Sequence, residues 1–460
     1  MRMTRFIGAL LLSLLILALG CDFDSSALED DRAGSIEDAT IYEMFIPDFS
    51  EEGTFQGAID RFDHLEALGI NTIWLMPIHP IGEERSKGEL GSPYSIRDFR
   101  AVNPNYGTEE DFQAFVDAAN DRGMRVIMDL VANHTAWDHA WTDEHPEWYV
   151  DGPVDGFSIP VMDGDTTDWT DVVQLDYDQP ELREEMIDMM QYWVEEFGVD
   201  GYRADVAALV PYDFWSDAID SLEAVQDPVF MLAEADEPEM HEVGFDLTYA
   251  WPSYSQLVAT WTEGAPVSEY TQMVETVQEE LPDGALRMRF TTNHDETAWD
   301  APPPVLFDGH SGSEAAFVLA NAMPGVPLIY NGQELGVDEP IPFFEATPYD
   351  WDADATMMDF YTSFMSLYTQ SAALRHGDMD VLTPDAEDAV LIRRTTEHDD
   401  LIIAVNVRDR EVEIAIPEGA QPHTWTEVFP GFGATEFNAP DAPATLQLDA
   451  YEYRMFIPEG

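Results

Sequence analysis

One pattern repeats from Ala39 to Tyr330: a short apolar run, then a loop or an amphipathic helix. The runs are Ala39–Phe49, Thr72–Pro77, Arg125–Val131, Gly201–Asp205, Val229–Glu234, Phe245–Tyr249, Leu286–Thr292 and Pro327–Tyr330. Eight strand-like segments, each followed by helix or loop, predict a closed parallel (β/α)8 TIM barrel. Between them, Phe55–Leu68 reads as a helix closing at Gly69, and Glu109–Arg122 as another. Glu181–Phe197 carries Met186, Met189, Met190 and Trp193 at helical spacing and ends at Gly198.

The stretch from Asp129 to Asp205 is far longer than one βα unit of ~30 residues. The excess, about 134–175, is rich in Trp, Asp, Pro and Gly and shows little periodicity. It predicts a loop-built insertion subdomain after the third strand. After the helix Met358–Arg375 the pattern changes to short β runs: Ala389–Thr395, Leu401–Val407, Glu411–Ile416, His423–Phe429 and Ala444–Pro458. These predict a C-terminal antiparallel β-sandwich over 376–460, behind a catalytic barrel over 39–375.

Charge narrows the partners. The chain has 92 acidic against 20 basic side chains, a formal net charge of −72 over 460 residues, and Lys87 is its only lysine. Such a field repels phosphate backbones, so no nucleic-acid partner is expected. The acids are spread along the whole chain and 45% of residues are hydrophobic, which excludes a disordered acidic tail as the explanation. A folded protein with a solvated acidic surface fits work in high salt, where self-repulsion is screened. A monomer is expected.

At the N-terminus, Arg2 and Arg5 precede the apolar run Phe6–Leu19, and Gly20-Cys21 follow. The run is short for a membrane span and has a basic flank, so 1–20 reads as an export signal. Ala18-Leu19-Gly20-Cys21 resembles a bacterial lipobox, making the single cysteine, Cys21, the expected lipid-attachment residue and 21–38 an acidic tether. The protein is then expected outside the cytoplasm, meeting the membrane only through that anchor.

Chemistry concentrates at four strand ends: Asp129-Leu-Val-Ala-Asn133-His134, Gly201-Tyr-Arg203-Ala-Asp205, Leu232-Ala-Glu234-Ala-Asp236 and Phe290-Thr-Thr-Asn293-His294-Asp295. A lone carboxylate in so acidic a chain would be read as a helix cap or a solvated loop acid. Here carboxylates, an arginine and two histidines fall on different strands at one height, where a barrel does its chemistry. Paired carboxylates without a catalytic cysteine, phosphate loop or serine elbow point to acid/base or covalent work at an acetal carbon. Arg203, two residues before Asp205, would favour an ionised nucleophile there. Glu234, after an apolar strand, suits the proton donor with a raised pKa. Asp295 can hold substrate hydroxyls, as can His134 and His294. Neither histidine has H-E-x-x-H spacing, which argues against a catalytic metal.

Taken together, these segments resemble glycoside hydrolase family 13, the α-amylase family, over nearly everything from Ala39 to the C-terminus. The four strand ends match its four conserved regions in order. Gly69–Pro77 and Gly325–Gly336 match two further segments, and Tyr94 and Asp98 match its substrate-stacking tyrosine segment. The resemblance implies Asp205 as nucleophile, Glu234 as general acid/base and Asp295 as transition-state stabiliser. Tyr94, His134, Arg203 and His294 would line the subsite of the attacked glucose. Retention of configuration through a glycosyl-enzyme would require the two carboxyls ~5–5.5 Å apart. No cofactor is implied for the chemistry, but the family's frequent structural calcium would use Asn133 with acids of the insertion, where Asp163, Asp165, Asp168 and Asp171 are available. Ala208-Leu209 replace the family's common Lys-His, leaving the leaving-group side undetermined, and the short insertion predicts an open cleft. Trp137, Trp141, Trp148 and Trp169 read equally as sugar platforms or as the insertion's own core.

The expectation is an exported, salt-adapted, retaining hydrolase of α-1,4 bonds in starch or maltodextrins. A transglycosylase or a cyclodextrin- or maltooligosaccharide-directed enzyme is the nearest alternative. A non-catalytic glucan-binding lipoprotein would need aromatics but not Arg203, Asp205, Glu234 and Asp295.

Overall fold

The computed structural model describes residues 35–162, 164–349, 351, 355–417, 424–430, 433–435 and 445–459. Its centre is a closed barrel of eight parallel strands: β1 (Ile41–Met44), β2 (Thr72–Leu75), β3 (Arg125–Leu130), β4 (Gly201–Ala204), β5 (Phe230–Ala233), β6 (Leu247–Tyr249), β7 (Leu286–Arg289) and β8 (Val326–Tyr330). Neighbours in sequence are neighbours in the barrel, and β8 closes on β1. All eight lie within or beside the apolar runs read from the sequence.

Side chains alternate across the strands, as the pleat requires. Ile41, Trp74, Ile127, Phe230, Leu232, Leu247, Tyr249, Met288 and Leu328 fill the interior as one buried cluster. Tyr42, Ile73, Val126, Tyr202 and Met231 face the helices. Glu43, Asp129, Arg203, Asp205 and Glu234 share the inward parity, so the apolar filling gives way to charge toward the strand C-termini. The β4 register pairs Arg203 with Asp129 on β3 and with Leu232 on β5. Gly201 (φ +153°) is required here, since a Cβ would stand 1.9 Å from the Phe230 carbonyl oxygen.

Two helices differ from the sequence reading. Phe55–Leu68 is two short helices, Phe55–Ile59 and Phe62–Ala67, and the break lets the Arg61 guanidinium lie 4.3 Å over the Trp351 ring. Met358–Arg375 is divided into Ala355–Gln370 and Ala372–His376. Ser371 interrupts it, capping Leu374 N–H with a hydroxyl that also donates to Asp399. Pro180–Phe197 ends on left-handed Gly198, as its sequence predicts.

The insertion contains short antiparallel pairs, among them His134–Ala136 with Val172–Gln174. At the C-terminus a six-stranded antiparallel sheet includes the unforeseen strand Asp378–Val381, and Val412–Ala415 pairs separately with Thr445–Leu448. One face of the larger sheet (Leu391, Ile402, Trp425, Phe456) packs on that pair through Ile414, Leu446 and Leu448. The other face (Val390, Ile392, Ile403, Met455) joins the core around the barrel. No helix among the described residues is long and apolar enough to cross a membrane. Cys21, the signal reading and most of the tether lie outside the described residues.

Candidate active site

Arg203 organises the barrel mouth. Its guanidinium is fully buried, with Nη1 2.9 Å from Asp205 Oδ1 and 3.0 Å from Asp129 Oδ1, and Nη2 3.0 Å from Glu234 Oε2. Its Nε–H donates to Tyr249 Oη at 3.2 Å, and Trp74 lies under it at 4.9 Å. One cation thus binds three carboxylates from β3, β4 and β5, and a buried charge needs such partners. Trp74 Nε1–H and Tyr94 Oη–H complete Asp129 at 3.1 and 3.0 Å.

Asp205 and Glu234 continue the β4 and β5 ladders one residue beyond the strands, Asp205 N–H bonding Leu130 O and Glu234 N–H bonding Ala204 O. Val206 then adopts a left-handed φ of 38°, rare for a β-branched residue. That conformation aims its N–H at Glu234 Oε2, 2.6 Å away.

Burial pushes the Asp205 carboxyl well up. Arg203 opposes this, while the Glu234 and Asp129 charges reinforce it. Arg203 does lower this pKa, as its spacing predicts, but burial and carboxylate repulsion outweigh the pull. Glu234 is also raised, by burial first and against Arg203. Two buried carboxylates on one cation thus each make the other's ionisation harder.

Asp295 behaves oppositely. Burial alone would raise it, but the His294 imidazolium, Arg203 and a hydrogen bond from Trp299 hold it below the ordinary range. His294 Nε2 is 3.3 Å from Asp295 Oδ2 and 2.9 Å from Tyr94 Oη, while Nδ1 bonds Glu43 Oε1 on β1. Burial disfavours the imidazolium, yet Asp295 and Glu43 raise it well above the usual histidine range. Asn293 accepts from the backbone N–H groups of Asp295 and Glu296, fixing this helix start. His134, by contrast, is lowered to about 4 by burial and is neutral.

A cleft of about 510 Å³ opens above these groups, lined by Tyr94, His134, Asp205, Glu234, His294 and Asp295, six of the seven candidate catalytic and subsite residues; Arg203 lies beneath. Asp98 is exposed and accepts from Arg100 N–H instead. Trp169 also lines the cleft, whereas Trp137 and Trp148 are buried in the insertion. The cleft is not open all round: Lys87, Trp299, Phe343 and Phe344 form a rim the sequence reading did not contain. Trp299 carried a signal, because it stands four residues after Asp295 on one helix and so shares its face. Glu43 carried another, the single acid in an apolar strand with inward parity.

Several of the residues expected around calcium have other partners. Asp171 is 2.8 Å from Lys87 Nζ, Asp168 offers its carbonyl to the same ammonium, and Asn133 Nδ2 lies 3.3 Å from His134 Nδ1. Asp163 lies outside the described residues. Among the described residues no group of three His, Cys, Asp or Glu is placed to hold a metal.

An eight-stranded parallel barrel with paired carboxylates on adjacent strand ends, sharing one buried arginine, is an arrangement suited to chemistry at a glycosidic bond. The chain belongs to the alpha-amylase family, whose model for the alpha amylase catalytic domain matches residues 29–371. Alpha-amylase MalA of Haloarcula japonica is 27% identical over 410 residues, 85% of this chain and 58% of that protein. The alpha-1,4-glucan:maltose-1-phosphate maltosyltransferase of Rhodospirillum rubrum is 30% identical over 390 residues, 76% of this chain and 53% of the relative. The chain thus spans little more than half the length of these two curated relatives. A noncanonic maltogenic alpha-amylase, AmyB of Thermotoga neapolitana, superposes with a TM-score of 0.82 at 28% identity, covering 92% of this chain and 99% of that one.

Proposed function

We propose that this protein is a retaining hydrolase of α-1,4-glucosidic bonds in starch-like glucans or maltodextrins. One observation carries the reading: Asp205 and Glu234, at neighbouring strand ends, both bind the Arg203 guanidinium. A single cation reaching both supports the close carboxyl spacing of a retaining pair, ~5–5.5 Å, over the wider inverting gap.

In the productive form Glu234 carries the proton and Asp205 is ionised. Asp205 attacks the anomeric carbon while Glu234 protonates the departing glycosidic oxygen. The glycosyl–Asp205 ester is then opened by water, whose proton returns to Glu234. Asp295, ionised beside the His294 imidazolium, accepts bonds from sugar hydroxyls as positive charge builds on the ring. Tyr94 offers its ring face to the same sugar. No step uses a metal. A sugar hydroxyl in place of water would turn the same intermediate toward transglycosylation, the alternative that the maltosyltransferase relative supports.

Replacing Asp205 by Asn tests the reading. Turnover of maltoheptaose is expected to vanish while glucan binding by calorimetry persists, and NMR of wild-type products should show the α-anomer first. Unchanged activity in Asp205→Asn overturns the mechanism.

The apolar run Phe6–Leu19 and Cys21 support export as a lipid-anchored protein, which labelling with a radioactive fatty acid in a bacterial host tests. The net charge of −72 supports a salt-adapted monomer that avoids nucleic acid. Activity that rises toward molar salt is the expected result.

A further inference from the structure

In a chain that has otherwise dispensed with lysine, the one retained stands at the rim of the catalytic cleft. Lys87 lies on the loop that follows β2. Its Nζ is 2.8 Å from Asp171 Oδ1 and donates to the Asp168 carbonyl at 3.1 Å, both in the insertion. The Asp171 side chain is only 4% exposed, and an unpaired carboxylate there would be costly. An ammonium suits the position because it is compact and can serve a carboxylate and a carbonyl at once.

The same loop is also fastened to the loop after β8. Leu90 N–H donates to the Phe344 carbonyl at 3.0 Å, and the Lys87 ammonium faces the Phe344 ring at 5.9 Å. Gly88, at φ +64°, comes so close that a Cβ would stand 2.5 Å from the Phe344 Cβ. Phe343 stacks on Tyr94 at 6.0 Å, and Trp299 packs on Phe343 at 5.7 Å. Loops following β2, β3, β7 and β8 thus meet in one wall.

The barrel order gives that wall a direction. Those strands flank β1, and β5, which carries Glu234, lies across the barrel from β1. A proton donor on β5 places the departing sugar on the β5 side, so the sugar bonded to Asp205 extends toward the wall. The cleft, about 510 Å³, falls within the ~300–1,000 Å³ typical of a pocket for a compact ligand.

We propose that Lys87 latches a wall closing the glycone end of the cleft, so that the enzyme cuts one or two glucose units from the non-reducing ends of α-glucan chains. This rests on the hydrolase reading and on the acid/base role given to Glu234. Lys87 is thereby a specificity-determining residue, acting through Asp171 and Phe344 on how much sugar the donor side admits.

The test uses maltoheptaose isotopically labelled at its reducing end, with mass spectrometry reporting which bond is cut. Wild type, Lys87→Met, Lys87→Arg and Asp171→Asn are compared, each checked for a cooperative melt. Wild type is expected to yield mainly glucose or maltose from the unlabelled end. Lys87→Met and Asp171→Asn should raise the share of longer glycone products about threefold or more, and Lys87→Arg should stay nearer wild type. Wild-type cuts leaving three or more glucose units on the glycone side would overturn the wall without any variant. A cleavage pattern unchanged in both folded Lys87→Met and folded Asp171→Asn would overturn the latch, and if Lys87→Met does not fold, Asp171→Asn alone decides it. No turnover by wild type would instead sink the hydrolase reading itself.

Discussion

Glu43 of β1 and His294 at the head of the helix after β7 share a buried hydrogen bond, and the other ring nitrogen of His294 faces Asp295. A carboxylate from the far side of β8 thereby keeps the imidazolium charged and Asp295 ionised. Both partners raise the pKa of His294 against the effect of burial, which favours its charged form until pH climbs through that raised value.

Replacing Glu43 by Gln removes one of the two supports. The alkaline limb of the pH dependence of kcat/KM is expected to move to lower pH, with roughly a tenfold loss at the alkaline end. The acid limb, set by protonation of the nucleophile Asp205, should stay in place because that carboxyl is untouched. A uniform loss at every pH would mean that Glu43 only packs.

Glu234→Gln leaves the Arg203 and Val206 contacts available but removes the transferable proton. Hydrolysis of maltodextrins should fall by about 10²–10⁴. A substrate with an acidic phenol as leaving group needs no proton and should lose far less in glycosylation. Equal losses on both substrates would remove Glu234 from the acid role.

Trp299 is 65% exposed, yet it hydrogen-bonds Asp295 and packs beside Phe343. An exposed indole face at a sugar cleft is a stacking platform. Trp299→Ala is expected to weaken maltodextrin binding by about 1–2 kcal/mol, raising KM more than it lowers kcat. Unaltered KM would contradict the platform.

Asp48 gives a stability prediction away from the chemistry. Burial pushes its carboxyl up to about 7, although the Thr347 N–H pulls the other way. A folded pKa above the unfolded value of 3.8 favours folding at low pH and loses that advantage as pH rises toward about 7. Thermal melts from pH 4 to 7 should therefore show a falling component in wild type that Asp48→Asn lacks. Parallel curves for the two proteins would refute this.

Local pattern made the barrel legible, because strand and helix periods differ and each βα unit announces itself in turn. The catalytic candidates were legible for a related reason. Asp129, Arg203, Asp205 and Glu234 break largely apolar runs toward their C-terminal ends, and such a polar break is visible without a structure. The breaks at Asp60-Arg61 and Ser371 were not, since a side-chain cap or a distant ring decided them.

The sequence by itself determined the barrel, the order of its strands and the height at which its carboxylates emerge, because the pleat fixes which residues share a face. Only the tertiary structure decided which way each charge would lean. Whether Asp205 rises or falls depends on the balance of burial, Arg203 and two neighbouring carboxylates, which no linear spacing contains. The same holds for the wall around Lys87: its partners Asp171 and Phe344 are far along the chain, and they meet only because barrel closure brings the β2, β3 and β8 loops to one rim.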